Sequence, residues 1–581
     1  MKSTDGTRIG RVRQVLGSTV TVELSPELAG TAPLWRGRVV PVGQVGSIVR
    51  IPQGSITLLG SVVLVGISEL SPPLAPAHSI EQGKRWLQVQ LLGEVDGLGS
   101  FHRGVSIYPG LDDEVHFSTS DDLASVYPPA GAERVSVGVL AAAPDVPLTL
   151  DASRLVTRHS AVVGSTGSGK TSAVATLLQR FEADWPSANI VVVDPHGEYA
   201  SAVGDAGSVL SVGSDLATQL QIPYWALPAS RLLSVLCGVE SRTVADRFAE
   251  LVVEARREFA IAAEWLDMEA ESITADTPIP YDLRAVWYRL DYDNRATIRD
   301  RATGDLALVD SGDAAALVAA TFEPHALGNA APFKGATFGH YNPAPDRLRL
   351  RLTDSRFDFF LAIPDPTEPD SLPGLAARWL GAHRPVSVLD FSGVPFEVAD
   401  VAIGLVLDLL FELGVRSTGS GIGRPRPVLF VLEEAHRYLR GGLAQAAADR
   451  IAREGRKYGI GLMMVSQRPS ELPETSLAQC GTIIALRLTN GADQSAVRAA
   501  LPDAVAGLAG VLPSLRTGEA LVSGEAVILP TRVQIHRPNP QPQAGDPNLD
   551  SWRSVPSGSV ELADSIDGWR RGTAPGEGRK P

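Results

Sequence analysis

The stretch GSTGSGKT, Gly164–Thr171, has the residue types and the spacing of a triphosphate cradle. Glycines let the backbone turn so that successive N–H groups point inward at phosphate oxygens, and a helix starting at the far end adds its positive dipole. Lys170 is placed to reach the β- and γ-phosphates, and the Thr171 hydroxyl to bind Mg²⁺. The full expected set is Gly164, Ser165, Thr166, Gly167, Ser168, Gly169, Lys170, Thr171 and Ser172. The run sits between an apolar strand, SAVVG, and a helix expected to continue through Gln179. That context separates it from an ordinary glycine-rich loop, and the ligand it implies is ATP with Mg²⁺.

Hydrolysis needs more than a cradle. An acid at the end of a nearby strand must hold the hydrated metal, and PVLFVLEEAH supplies Glu433 and Glu434 after an almost entirely apolar run. Glu433 suits the metal shell. Glu434 suits the attacking water, because a carboxylate beside the γ-phosphate accepts a proton or orients the lone pair. Without the cradle upstream, the same pair would read as a solvated strand end. VVVDPHGEY brings Asp194, His196 and Glu198 to the end of the next strand, facing the same crevice, with Asp194 at the nucleotide and Glu198 among the reacting groups. Alone, that loop reads as a Pro–Gly turn, and a loop of this length seldom gives Asp, His and Glu the convergence of a metal site.

GLMMVSQRP ends a third apolar strand with Ser466, Gln467 and Arg468. An amide at Gln467 can touch the γ-phosphate and report its presence. Upstream, DRIAREGRKYG sets Arg450, Arg453 and Arg456 three residues apart along one helical face, beside Lys457. These form either an ordinary charged surface or the source of a cation that reaches a neighbour's nucleotide and steadies charge on the transferring phosphoryl group. The second reading requires an oligomer.

Positioning these groups calls for a parallel α/β sheet, whose strands carry sites at their C-terminal ends. SAVVG, NIVVVD, RPVSVLDFSG, PVLFVLEEAH, GIGLMMVSQ and GTIIALRLT fit it, split into 146–215 and 384–537. Between them, 216–383 reads as a mainly helical insertion, with RTVADRFAELVVEARREFAIAAEWLDMEA as its clearest helix. Near the end of that insertion, the alternation of DRLRLRLTDSRFDFFLAI predicts a strand, and its arginines read better as a solvated face than as phosphate-backbone contacts. Residues 1–145 show short β-segments between Gly and Pro, as in a small sandwich or barrel serving docking or assembly. The segment 538–581, rich in Pro, Gly, Asp and Ser, is read as a tail or strap.

The bulk composition bounds the rest. Over 581 residues, 44 % are hydrophobic and 20 % charged, which describes a globular protein. A formal charge of −14 argues against a basic coat for nucleic acid but leaves room for a locally basic channel. Cys237 and Cys480 match no metal spacing and read as reduced, buried thiols. The start, MKSTDGTRIGRVRQVLG, has no apolar signal segment, and VADVAIGLVLDLLFELGV carries Asp400, Asp408 and Glu412, too many charges for a membrane span. A cytoplasmic protein is expected, with that apolar run as a buried helix.

Taken together, RHSAVVGSTGSGKT, VVDPHGEY, VLEEAHRYL and AREGRKYGIGLMMVSQRPSELPETSLAQCGTIIALRLTN resemble the HerA family of hexameric DNA-translocating ATPases, within the wider HerA/FtsK group. The order of segments also fits, including an N-terminal part similar to the family's HAS-barrel, so the resemblance covers most of Gly10 to Arg537. It implies a RecA-like core, a homo-hexamer, and ATP-driven movement of double-stranded DNA through a central pore. It further implies that Lys170 and Thr171 bind ATP–Mg²⁺, Glu433 supports the metal and Glu434 activates water. Gln467 would sense the γ-phosphate, and Arg453 or, preferentially, Arg456 would act in trans. The first acid is Glu where many such enzymes have Asp. Family members work with a nuclease in DNA end resection, or with a separate effector in anti-phage defence. Any such activity would belong to a partner, because no segment here resembles a nuclease. A ring scaffold that activates a defence effector is therefore the alternative to a translocase.

Overall fold

Alternate burial along the N-terminal strands closes them into a barrel. In RWLQVQLLGEV, for example, every second central residue is buried, so one face points inward. The ring comprises β1 (Arg8–Leu16), β2 (Thr19–Leu24), β3 (Ile48–Gln53), β4 (Ile56–Ile67), β5 (Arg85–Val95) and β6 (Glu114–Phe117). Hydrogen bonding runs β2-β1-β6-β3-β4-β5 and back to β2, around a core that includes Ile9, Val22, Ile51, Leu58, Val89 and Val115. This is a computed structural model of the full chain. It describes residues 6–543 apart from 27, 29–33, 36–37, 41, 43, 68–83, 132, 213–217, 239, 329, 366, 369–370, 418–420 and 503–506, and beyond 543 only 552, 562, 563 and 566. Of the expected tail or strap, 538–543 are described and hydrogen-bond to Gln179, Ser201 and Glu198, and most of the rest lies outside the described residues.

The next strands belong to a second sheet: β7 (Arg134–Leu140), β8 (Ala143–Asp151), β9 (Ser160–Val163), β10 (Asn189–Asp194), β11 (Ser208–Ser211), β12 (Val386–Asp390), β13 (Val428–Leu432), β14 (Ile460–Ser466), β15 (Thr482–Ala485), β16 (Glu519–Gly524) and β17 (Thr531–Ile535). Their order is β8-β7-β17-β16-β15-β9-β14-β13-β10-β12-β11. From β15 to β11 all neighbours are parallel, and the remainder is antiparallel. Every residue of β10, β13 and β14 is buried, as expected of strands covered on both faces, and this is why they read as unbroken apolar runs. The fold is α/β, a P-loop core preceded by a β-barrel.

Register explains why motifs hundreds of residues apart meet. Val163 pairs with Ser466, Met464 with Leu432, and Leu432 with Val193. The loops after β9, β14, β13 and β10 therefore leave the sheet at nearly one level.

Helix α1 (Lys170–Asp184) follows β9 and runs five residues past the expected end, because Phe181 packs in the core. Between β11 and β12 lie α2 (Arg242–Ala262), α3 (Leu283–Arg295) and α4 (Ala344–Leu352), together with short two-stranded pairings. Here the structure corrects the strand expected at RLRLRL: the segment is α4. Pro345 sits in its first turn, where its fixed φ suits a helix. Ala344 and Leu348, four apart, are buried, while Leu350 is left 69 % exposed. Arg347 donates to the Cys237 carbonyl and Arg349 to that of Leu317. Tertiary partners for the arginines thus override the period-two pattern.

The apolar run forms α5 (Phe396–Arg416), packed in the core against α6 (Leu443–Tyr458). Its charges serve α6. Asp400 accepts from the N–H groups of Leu443 and Ala444 at 3.0 and 3.3 Å, and Asp408 and Glu412 both pair with Arg450. Among the described residues no helix is long and apolar enough to cross a membrane. Cys237 and Cys480 are free, and burial pushes each thiol up to about 12.

Candidate nucleotide site

The Gly164–Thr171 loop is held at its start by neighbouring chain segments. Gly164 N–H donates to the Ser466 carbonyl and Ser165 N–H to that of Arg487. A Cβ on Gly164 would fall 2.6 Å from Ser168 Oγ and 2.8 Å from Leu486 Cβ, so only glycine fits. Gly167 and Gly169 adopt φ of +70° and +101°. Gly169 caps α1 without a side chain, which leaves the first-turn N–H groups open toward the crevice. The Ser168 hydroxyl is buried with no hydrogen-bond partner.

Lys170 is buried at the start of α1, its ammonium 3.4 Å from the Ser165 carbonyl. Burial lowers its pKa, while the fields of Glu434, Glu433 and Glu198 oppose that shift. The Thr171 hydroxyl donates to Glu198 Oε2 at 3.0 Å. Two loops, those after β13 and β10, therefore bring carboxylates toward one ammonium.

The two acids after β13 differ. Glu433 is 1 % exposed, and burial drives its carboxyl upward while the Tyr199 hydroxyl, donating to Oε2, pulls the other way. Glu434 is also buried but occupies the left-handed region at φ +47°, a conformation that costs a non-glycine residue about 1 kcal/mol or more. Its Oε2 lies 3.2 Å from His436 Nδ1 yet has no partner in hydrogen-bonding geometry. His436 Nδ1 sits equally close, 3.2 Å, to Ser466 Oγ.

The remaining expected residues fall in two groups. Gln467 is at the cradle, where its Oε1 accepts from the Thr166 hydroxyl at 2.6 Å. Asp194 is committed elsewhere: it accepts from the N–H groups of His196, Gly197 and Tyr199, so it folds the loop that carries Glu198. His196 meets Arg437 at 2.9 Å, joining that loop to the one after β13. On α6, Arg450 is consumed by Asp408 and Glu412, whereas Arg453 and Arg456 are exposed, and Arg453 also donates to the Asp449 carbonyl.

Sequence reasoning missed Tyr199, His436 and the turn Arg516–Glu519. The first two lie inside quoted motifs, but nothing in their spacing shows that they touch Glu433 or approach Glu434. The turn meets the cradle directly, Gly518 N–H donating to the Ser168 carbonyl at 2.9 Å, from 350 positions further along the chain (518 against 168).

With this geometry in place, similarity to known proteins gains meaning. Residues 135–410 match the family model described as the central domain of helicase HerA, and 405–540 match the HerA-like C-terminal domain. The DNA double-strand break repair helicase HerA of Pyrococcus furiosus is 26 % identical over 492 residues, 77 % of each chain. The protein of the same name from Sulfolobus acidocaldarius is 39 % identical over 145 residues, 24 % of this chain and 29 % of that one. Among solved structures, VirB4 of Thermoanaerobacter pseudethanolicus aligns at 13 % identity with a TM-score of 0.45, covering 70 % of this chain and 97 % of that one. Plasmid coupling protein TrwB with an ATP analogue aligns at 15 % identity and a TM-score of 0.42, covering 74 % and 95 %.

Proposed function

The chain belongs to the HerA helicase family, and on that premise we propose that it hydrolyses ATP to drive movement along double-stranded DNA, as a homo-hexameric ring around the duplex. The observation that carries this reading is the meeting of Lys170, Thr171–Glu198 and Glu433–Glu434 at the C-terminal ends of interior strands. No ordinary packing need explains a buried ammonium facing three acids beside a backbone cradle.

The residues fit ATP with Mg²⁺. Open first-turn N–H groups, the partnerless Ser168 hydroxyl and the glycine-only contour at Gly164 make an anion cradle. Thr171 and Glu433 would hold the metal, an all-oxygen donor set suited to Mg²⁺. Bound there, Mg²⁺ neutralises charge on the β- and γ-phosphate oxygens. Lys170 contacts the same phosphates, and the fields of Glu434, Glu433 and Glu198 oppose the lowering that burial imposes on its ammonium. Glu434 takes a proton from the attacking water or orients it; its buried Oε2 lies 3.2 Å from His436 Nδ1 but accepts no hydrogen bond. Glu198 orients the Thr171 hydroxyl. Gln467 exchanges its Thr166 contact for the γ-phosphate, and the exposed Arg456, or Arg453, completes the neighbouring protomer's site.

A nuclease partner docked on the N-terminal barrel would place the activity in DNA end repair. The deciding experiment compares ATP turnover of the purified protein and of Lys170→Ala, with and without linear duplex DNA. Stimulation by duplex, abolished in Lys170→Ala, is the expected result. Slow turnover indifferent to DNA would favour the ring scaffold that activates a defence effector. Turnover equal to that of the variant in both conditions would remove the ATPase reading altogether.

A further inference from the structure

The turn Arg516–Glu519 lies outside every motif used above, yet it touches the cradle at three places. Gly518 N–H donates to the Ser168 carbonyl at 2.9 Å, and the Thr517 hydroxyl approaches the Gly167 carbonyl at 3.5 Å. The space where a Cβ on Gly169 would stand is closed by Gly518 N and Cα, at 3.2 and 3.3 Å. Since Gly169 caps α1, the turn backs the residues whose N–H groups would face phosphate on the proposed reading.

One buried carboxylate holds the turn. Glu519 is fully buried; its Oε2 accepts from Arg516 N–H at 3.0 Å, and its Oε1 accepts from Arg532 Nε and Nη2 at 3.1 and 2.6 Å. Burial would raise this carboxyl, but those donors outweigh it and keep it below the ordinary glutamate value. Arg532 also reaches the barrel. Gly46, at φ +92° in the loop before β3, leaves only 3.3 Å between a built Cβ and Arg532 Cδ. A cavity of about 360 Å³ lies at this seam, bounded by the Gln44–Ile48 loop, Arg516, Glu519 and Arg532.

We infer that Glu519 is a positioning residue for the phosphate-binding loop and that, through Arg532, it makes that loop responsive to the N-terminal barrel. A shift of the 44–48 loop moves the Arg532 stem, Arg532 moves Glu519, and the turn then presses on or releases Gly167–Gly169. The inference rests on reading Gly164–Thr171 as the ATP site.

The test is a titration of the full chain with a fluorescent ATP analogue, alongside steady-state hydrolysis. Binding by the parent and its loss in Lys170→Ala establish the site itself; failure there would count against the proposed function, not against this inference. Glu519→Gln keeps the shape but turns one oxygen into a donor, so Arg516 N–H or Arg532 loses its acceptor. The expected result is an analogue Kd raised about tenfold, with kcat at saturation within about twofold. A purely structural residue would instead reduce the active fraction, lowering kcat at constant Kd, and that outcome overturns the inference. Should Glu519→Gln not fold, Arg532→Lys, which withdraws one of two contacts, is expected to raise Kd about threefold, and an unchanged Kd overturns it equally. Gly46→Ala, in the barrel, is expected to raise Kd in the parent but not further in Glu519→Gln. Additive effects of the two changes would break the link to the barrel.

Discussion

The Thr166 hydroxyl donates to Gln467 Oε1 across 2.6 Å, joining the tip of the cradle to the end of β14. Both side chains hang from loops that register places at one level, since Val163 pairs with Ser466. A contact between two solvent-accessible polar groups beside the proposed phosphate site is easily traded for a phosphate oxygen.

Gln467→Ala should therefore spare ATP binding, within about threefold, but lower kcat by about 10–100-fold, the worth of one hydrogen bond to a charged group in the transition state. Single-turnover hydrolysis with pre-bound ATP separates the two. A matching loss in affinity would assign Gln467 to ground-state binding instead.

Glu434→Gln should bind ATP normally and fail to turn it over, with kcat falling about 10²–10⁴-fold, the range for a general base. Gln is isosteric, so the left-handed turn at Glu434 is kept. Phosphate release measured under single-turnover conditions checks this, and a fall of less than tenfold would move the water-activating role elsewhere.

Tyr199→Phe removes the donor to Glu433 Oε2 and leaves a fully buried carboxylate oxygen short of a partner. Such a loss costs about 1–3 kcal/mol. Denaturant unfolding should show it as a lower midpoint with an unchanged slope, and Mg²⁺ should be needed at higher concentration for half-maximal hydrolysis. A variant as stable as the parent would show that another donor replaces the hydroxyl.

Much of this site was legible because the chemistry sits in contiguous runs. GSTGSGKT, LEEAH and SQRP each follow an apolar strand, and a parallel sheet covered on both faces leaves its strands with no other pattern to show. Contacts between runs were not legible. Asp194 looks like a ligand in VVVDPHGEY, yet it is spent on three backbone N–H groups of its own loop. Glu519 sits in an unremarkable turn, and only the antiparallel β16–β17 pairing brings Arg532 to it. The alternating leucines of RLRLRL gave a strand signal that Pro345 and the arginines' carbonyl partners overrode. Period-two patterning competes poorly when two of the three arginines find specific carbonyl acceptors in the helical form.

His159 supplies a pH signature unconnected with catalysis. It is buried, its Nδ1 accepts from Leu462 N–H, and burial lowers its pKa from 6.5 to about 4, against the pull of the Ala452 carbonyl. In the unfolded chain the ring takes a proton below about pH 6.5, while the folded protein refuses it down to about 4. Its contribution is thus intact above pH 6.5 and is lost as pH falls from 6.5 toward 4, on the order of 3 kcal/mol in all. His159→Asn keeps an acceptor and tolerates the residue's φ of +51°. Unfolding midpoints measured from pH 7 to 4 should fall less steeply in that variant, and parallel curves would show that other groups set the acid sensitivity.

The trans arrangement can be tested without a structure of the ring. Helix α6 is locked to α5 by Asp400 at its first turn and by Arg450 between Asp408 and Glu412, so its C-terminal half presents Arg453 and Arg456 from a fixed base. Each exposed guanidinium is too far along that helix to be explained by those pairs. Arg456→Ala alone and Lys170→Ala alone should each lose nearly all DNA-stimulated turnover. In mixed rings, an interface formed by an intact cradle from the Arg456→Ala protomer and an intact arginine from the Lys170→Ala protomer should work again. Activity should then rise above that of either variant by an amount set by the mixing ratio. Mixed assembly is verified by co-purification through two different tags. Recovery with Arg453→Ala but not with Arg456→Ala would transfer the role by one helical turn, and no recovery with either in a verified mixed ring would place the stabilising cation in the same protomer as the cradle.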